Sequence, residues 1–255
     1  MTEHPNPELI CGAQEIIARS QGLSDCHLRL AGAADVSAVA ALNDSAIQHL
    51  GREGLFMSMD SQFILSALAH GVVLLLEIGS ELQGYSIAVP AGPEFEPFQA
   101  VDPLISVGLL FGSAVKPEAR RQGWHSRFIT MRKQLFAENG YDVLQCTVSP
   151  FNLPSLSNLV NNGFAVTGLK TLLDGHPRFI LMQDTSEVAQ SVADPPHVPG
   201  SPTVRSLRLD SQSLRLDSHN LGEHEKLLSA GWIAKSINHL DSELCLQYEP
   251  GEVSA

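Results

Sequence analysis

The run Val107-Gly-Leu-Leu-Phe-Gly-Ser-Ala-Val115, followed by Lys116-Pro-Glu-Ala-Arg-Arg-Gln-Gly-Trp-His-Ser126, decides the fold. The first part is apolar and glycine-containing and reads as a strand that Pro117 ends. Helical spacing then runs from Trp124 to about Asn139. A second apolar run, Val143-Leu-Gln-Cys-Thr-Val148, is followed by Ser149-Pro-Phe-Asn-Leu-Pro-Ser155 and by Asn161-Asn-Gly-Phe164. The order is strand, loop, helix, strand, turn, short helix, Gly-Phe.

The loop between the first strand and the helix has the makings of a phosphate site. A helix start presents unpaired N–H groups and the positive end of its dipole. Gly123 lets an anion approach the backbone. Arg120 and Arg121 add charge, and a guanidinium can hold phosphate oxygens in pairs. Taken alone, the loop fits equally a solvated turn with a basic start.

The larger pattern is more specific. Val115-x-Pro117, Arg120-x-x-Gly123-x-His125, Val148-Ser-Pro-Phe-Asn152, Ser155 and Gly163-Phe164 occur in an order that resembles the GCN5-related N-acetyltransferases (GNAT) over residues 27 to 184. The resemblance implies an α/β (α+β) fold, with a mixed, mostly antiparallel central sheet, splayed strands and helices on both faces. It implies acetyl-CoA as co-substrate and an amine, small-molecule or peptide, as acceptor. The diphosphate would sit on the amides of Arg121, Gln122, Gly123, Trp124, His125 and Ser126, beside Arg120. Backbone groups near Ser113 and Val115 would meet the pantetheine, as would Asn152. Ser155 could cap the helix or touch the cofactor.

Three departures from the family pattern bear on chemistry. His125 stands where the family has Gly or Ala. Leu159 stands where many members have a Tyr that protonates the leaving thiolate. The segment from 105 to 115 has no Glu or Asp, where many members keep a general base. Glu94 and Glu96, in the Pro-rich loop 91–103, are the remaining catalytic candidates, and a solvated loop is the alternative. A GNAT-fold module that binds acyl-CoA without turnover is therefore the competing function.

The bulk properties narrow the classes. A net charge of −12 disfavours nucleic acid and anionic membranes as partners. The four cysteines, at 11, 26, 146 and 245, have neither disulfide-frame nor zinc spacing, so no metal is expected. Cys146, in a core strand, reads as a small hydrophobe. The polar N-terminus has no apolar signal core, and the aliphatic run from 72 to 76 is far short of the roughly 20 residues a bilayer span needs. A cytoplasmic protein is expected.

Four segments are expected: a helical extension over 1–24, the acetyltransferase domain over 25–184, a Pro-rich linker over 185–203 and a small β-α-β addition over 204–250. The extension's helix spans 8 to 20, with Leu9, Ala13, Ile16 and Ile17 on one side. Within the domain, 27–30 reads as a strand and Asp35 as the N-cap of a helix over 36–50. Residues 51–59 read as a mobile link with exposed Phe56 and Met57. Asp60 caps a helix closed by Gly71. Residues 72–78 and 82–89 form a hairpin, and 176–182 the domain's last strand. In the addition, Ser206-Leu-Arg-Leu-Asp-Ser211 recurs as Ser213-Leu-Arg-Leu-Asp-Ser218. Asn220 to Trp232 aligns without gaps on Asn152 to Phe164, so the addition reads as a partial repeat of the domain's C-terminal half. Its strand at 213–217 is expected to pair with 243–248. It needs cover from the main domain or from a second chain, as in a homodimer.

Overall fold

The computed structural model describes residues 7–20, 26–51, 54–172, 175–186, 205–209, 218–240 and 243–250. Six helices among these are α1 (Pro7–Ser20), α2 (Val36–Leu50), α3 (Ser61–His70), α4 (Trp124–Glu138), α5 (Leu153–Asn161) and α6 (Ser218–Ser229). The strands are β1 (Cys26–Leu30), β2 (Val72–Ile78), β3 (Glu81–Pro90), β4 (Val107–Val115), β5 (Val143–Val148), β6 (Ala165–Thr171), β7 (Pro177–Asp184), β8 (Arg205–Leu209), β9 (Trp232–Leu240) and β10 (Glu243–Pro250). They form one sheet in the order β1-β2-β3-β4-β5-β7-β6-β9-β10-β8. All pairings are antiparallel except β4 with β5.

Alternation along the strands feeds a core on each face. Leu74 and Leu76 of β2 join Leu9, Ile16, Phe128, Leu135, Leu156 and Phe164 on the side of α1, α4 and α5. Val73 and Leu75 join Val39, Leu42, Ile64 and Tyr85 on the side of α2 and α3. The amphipathic α1 lies against α4, with Arg19 and Glu138 in a 2.7 Å ion pair. No helix of the described residues is long and apolar enough to cross a membrane.

The parallel pair β4–β5 sets the site. Its register runs from Val107↔Val143 only to Leu110↔Cys146, although β4 continues to Val115 and β5 to Val148. The two strands therefore splay from Phe111 onward. On its other side β4 pairs with β3, and the register slips between Ser86 and Ala88.

Several sequence expectations are corrected. Asp35 does not cap α2 with its side chain: it ends a 3-10 turn. Its carboxylate accepts from Gly32 N and from both Nη atoms of Arg29, which also reaches Glu77. Gly71 closes α3 without a left-handed φ; glycine is required there because a Cβ would meet the Ala88 carbonyl oxygen at 2.2 Å. Phe56 and Met57 are half-buried, not exposed.

The addition has one more strand than expected. Beyond β8 and α6 it has both β9 and β10. Residues 210–217, which include the expected partner strand at 213–217, lie outside the described residues. Both flanks of β10 are already taken, by β8 with Leu244↔Leu209 and by β9 with Leu246↔Ile237. β8, which pairs with β10, carries the first Ser-Leu-Arg-Leu copy. β9 joins the main sheet at Val166↔Ala234. Leu227, Leu228, Leu246 and Tyr248 bury into the same core as α4 and α5. Apart from Thr185 and Ser186, the expected linker lies outside the described residues.

Candidate functional site

The loop after Pro117 is built by two left-handed residues. Arg121 has φ 62°, the one positive φ outside glycine among the described residues, and Gly123 has φ 78°. Two such residues two apart turn successive N–H groups to one side, the geometry of an anion nest. Arg127 N makes the first helical bond, to Gly123 O at 3.0 Å. The six N–H groups before it, from Arg121 to Ser126, have no acceptor among the described residues. Ordinarily backbone donors out of reach of water are paired; these stay free because Arg121, Gln122 and Gly123 are exposed.

All of the residues from Arg121 to Ser126 except Gln122 line a cleft of about 620 Å³. Arg120, Arg121, Gly123, Trp124, His125 and Ser126 line it on one side, with Ser113 and Val115 of β4 and Asn152, Ser155 and Asn158 on the other walls. No Asp or Glu among the described residues lines it, while two guanidiniums do, in a chain of net charge −12. Gln122 is not among the lining residues; its Oε1 accepts from Trp124 Nε1 at 3.3 Å. Trp124 is buried, as its inward packing requires, with Arg127 stacked 4.7 Å from the ring centroid.

The remaining predicted residues have local jobs as well. Arg120 Nε donates to Val115 O at 3.0 Å and so clips the loop to the end of β4. Ser113 Oγ donates to Tyr85 O at 3.3 Å. Asn152 caps α5, its Oδ1 accepting from Ser155 N at 3.3 Å, and its Nδ2 donates to Leu55 O at 3.3 Å. Ser126 Oγ exchanges hydrogen bonds with the Asn162 amide. Ser155 Oγ has no partner among the described residues.

A second, inner cavity of about 70 Å³ lies where β4 and β5 splay. It shares Phe56, Ser113, His125, Asn152 and Ser155 with the outer cleft, so these residues mark the junction. His125 does not block the loop. Its ring turns to α5, where Nδ1 accepts from Asn158 Nδ2 at 2.8 Å, leaving the neutral ring's proton on Nε2. Burial, aided by the charge of Arg132, pushes its pKa down to about 4. Cys146, also on the inner wall, has its thiol pushed up to about 12 by burial, which fits an inert side chain rather than a nucleophile.

Glu94 and Glu96 are exposed and line neither cavity. Between them Phe95 is buried and packs edge-on against Phe63 and Phe111, which turns its neighbours outward. Sequence reading passed over Arg132, which is buried and lines the inner cavity. The signal was present: it lies four residues after Phe128 and three before Leu135, on the buried face of α4.

No family model matches the chain, and no curated protein matches its sequence. Solved structures do match. The aminoglycoside acetyltransferase AAC(6')-Ib in complex with paromomycin and acetyl-CoA superposes with a TM-score of 0.52 at 20% identity, over 68% of this chain and 100% of that one. Its complex with ribostamycin and coenzyme A gives 0.51 at 20% identity, over 68% and 100%. Its complex with coenzyme A gives 0.50 at 20% identity, over 66% and 99%. Over about two thirds of its length the chain has the fold of the GCN5-related N-acetyltransferases.

Proposed function

We propose that this chain moves the acetyl group of acetyl-CoA to an amine by direct attack. One observation carries the reading: six consecutive amides without an acceptor among the described residues, on an exposed left-handed loop, lie beside a cleft lined by two arginines and by no described carboxylate. A diphosphate is the ligand such a cradle suits. Its pantetheine arm would run along the splayed edge of β4, and the thioester would reach the junction at Ser113, Asn152 and Ser155.

The amine nitrogen attacks the thioester carbonyl, the C–N bond forms, and the C–S bond breaks. The nitrogen loses one proton and the departing thiolate gains one. Free N–H groups of β4 beyond Leu110 would stabilise the oxyanion, and positioning would supply most of the remaining acceleration. The described lining residues offer no carboxylate base, and His125 is neutral with Nδ1 occupied, so water carries both protons in this reading. Four free cysteines fit a reducing compartment and a cytoplasmic enzyme.

A specific observation favours a second reading. Leu159, buried and lining the inner cavity, stands where many relatives carry the acidic Tyr. That suits a module that holds acyl-CoA without turnover. Isothermal titration with acetyl-CoA, run beside a thiol-release assay over an amine panel, separates the two. Binding with release supports transfer, binding without release on any amine supports the module, and no binding contradicts both.

A further inference from the structure

Arg132 is 2% exposed, on the third turn of α4. Its Nε donates to Phe128 O at 3.2 Å, and its Nη1 to Ile87 O at 3.1 Å and Phe111 O at 2.9 Å. Ile87 and Phe111 lie where the β3–β4 register slips, so two of the three acceptors belong to residues with no partner in the β3–β4 ladder. The two Nη2 hydrogens have no acceptor among the described residues. No described carboxylate pairs with this guanidinium. His125 and Cys146 interact with it electrostatically, and both are neutral near pH 7. Burial pulls the pKa of Arg132 down to about 10, still well above neutrality, so the group stays charged.

An unopposed buried cation is costly, and satisfying bulge carbonyls does not need a charge. What remains is its position: Arg132 lines the inner cavity, one step beyond the junction with the coenzyme cleft. The buried Arg178 lines it too, with Nη1 3.4 Å from Leu55 O. Among the described residues no Asp or Glu lines it. About 70 Å³ is room for a few non-hydrogen atoms, since one water occupies about 10–15 Å³ on the same measure.

We propose that the inner cavity is a carboxylate subsite, in which Arg132 binds the carboxylate of one reactant. The inference rests on the acyl-CoA reading above and names the substrate class of that site. The carboxylate has two sources. It is either the far end of a dicarboxylic acyl group, as in malonyl-CoA or succinyl-CoA, or the carboxylate of an amino-acid acceptor. A polycationic acceptor, by contrast, would bring its charge against the Arg132 guanidinium.

The test uses the full chain. Titration with CoA itself comes first; if CoA does not bind, the acyl-CoA reading falls and this proposal falls with it. Two arms then follow. One compares acetyl-CoA with malonyl-CoA and succinyl-CoA in binding. The other compares amino acids with their methyl esters as acceptors in thiol release. The expected result is a preference of about tenfold or more for the carboxylate-bearing member in one arm. Arg132→Met should abolish that preference while affinity for CoA, which has no acyl group, changes less than about twofold. CoA binding with no preference in either arm, or a preference that survives in Arg132→Met, overturns the subsite and leaves the acyl-CoA reading intact. Should Arg132→Met not fold, malonate as a competitor of the wild type decides. Competition against the carboxylate-bearing reactant and not against CoA supports the subsite; no such competition overturns it.

Discussion

At Gly123 a single backbone angle holds the loop. Its φ of 78° costs an L side chain about 1–2 kcal/mol, though space beyond the Cα is open. Gly123→Val is therefore expected to lower the melting temperature by a few degrees, read by calorimetry, and to weaken CoA binding by more than the stability loss explains. At His125 the sign of the pH effect follows from its pKa, about 4 folded against an ordinary 6.5. The unfolded chain takes up this proton first. The stability His125 contributes is full above about pH 6.5 and drains away as pH falls towards 4. His125→Gln, which keeps a hydrogen-bonding partner for Asn158, should flatten that part of the profile. Urea midpoints at pH 7.5 and 4.5 check it: the wild type should lose more than the variant, and equal losses would contradict the assigned burial.

Element boundaries were legible where pattern and turn chemistry agree. The helix from 124 to 138 and the strand from 107 to 115 were readable because a proline and a glycine bracket the loop between them. β6 was not read: its Ala-Val-Thr-Gly-Leu-Lys-Thr lacks alternation, since it lies between two strands and is only partly buried. Asp35 misled because the N-cap preference of aspartate carries no record of Arg29, whose two-pronged pairing across the strand took the carboxylate. The acids of loop 91–103 misled in the same way, as the burial of Phe95 decides where its neighbours point.

The addition repeats the topology of the domain's end. β5 and β6 flank β7, as β8 and β9 flank β10. α5 packs on β9, and α6 packs on β6. The gap-free alignment that sets Asn220 on Asn152 also sets Ala234 on Val166, and those two residues face each other across β6–β9. We infer a duplicated half-domain arranged about a local two-fold axis at that pair. It covers an edge that another chain would otherwise cover. Truncation after Ser186 is expected to expose β6 and yield dimers or aggregates in light scattering; a truncated monomer with unchanged melting temperature would contradict the inference.

Across the whole molecule, charge distribution and binding are linked. A chain of net charge −12 repels a polyanion, and the cleft with Arg120 and Arg121 opposes that sign locally. Affinity for CoA should fall steeply between low salt and about 1 M, where screening shortens to about 3 Å. A flat salt response would place the binding elsewhere. The fold was legible because the order of elements from 107 to 164 is hard to satisfy otherwise. The inner cavity was not, because it depends on where Arg132 and Arg178 end up in space.

The measurement that bears most directly on the phosphate cradle is amide chemical-shift mapping of the full chain as CoA is added. The account predicts the largest shifts at the N–H groups of Arg121 to Ser126, with slowed solvent exchange there. CoA binding that leaves those six amides unmoved would contradict it.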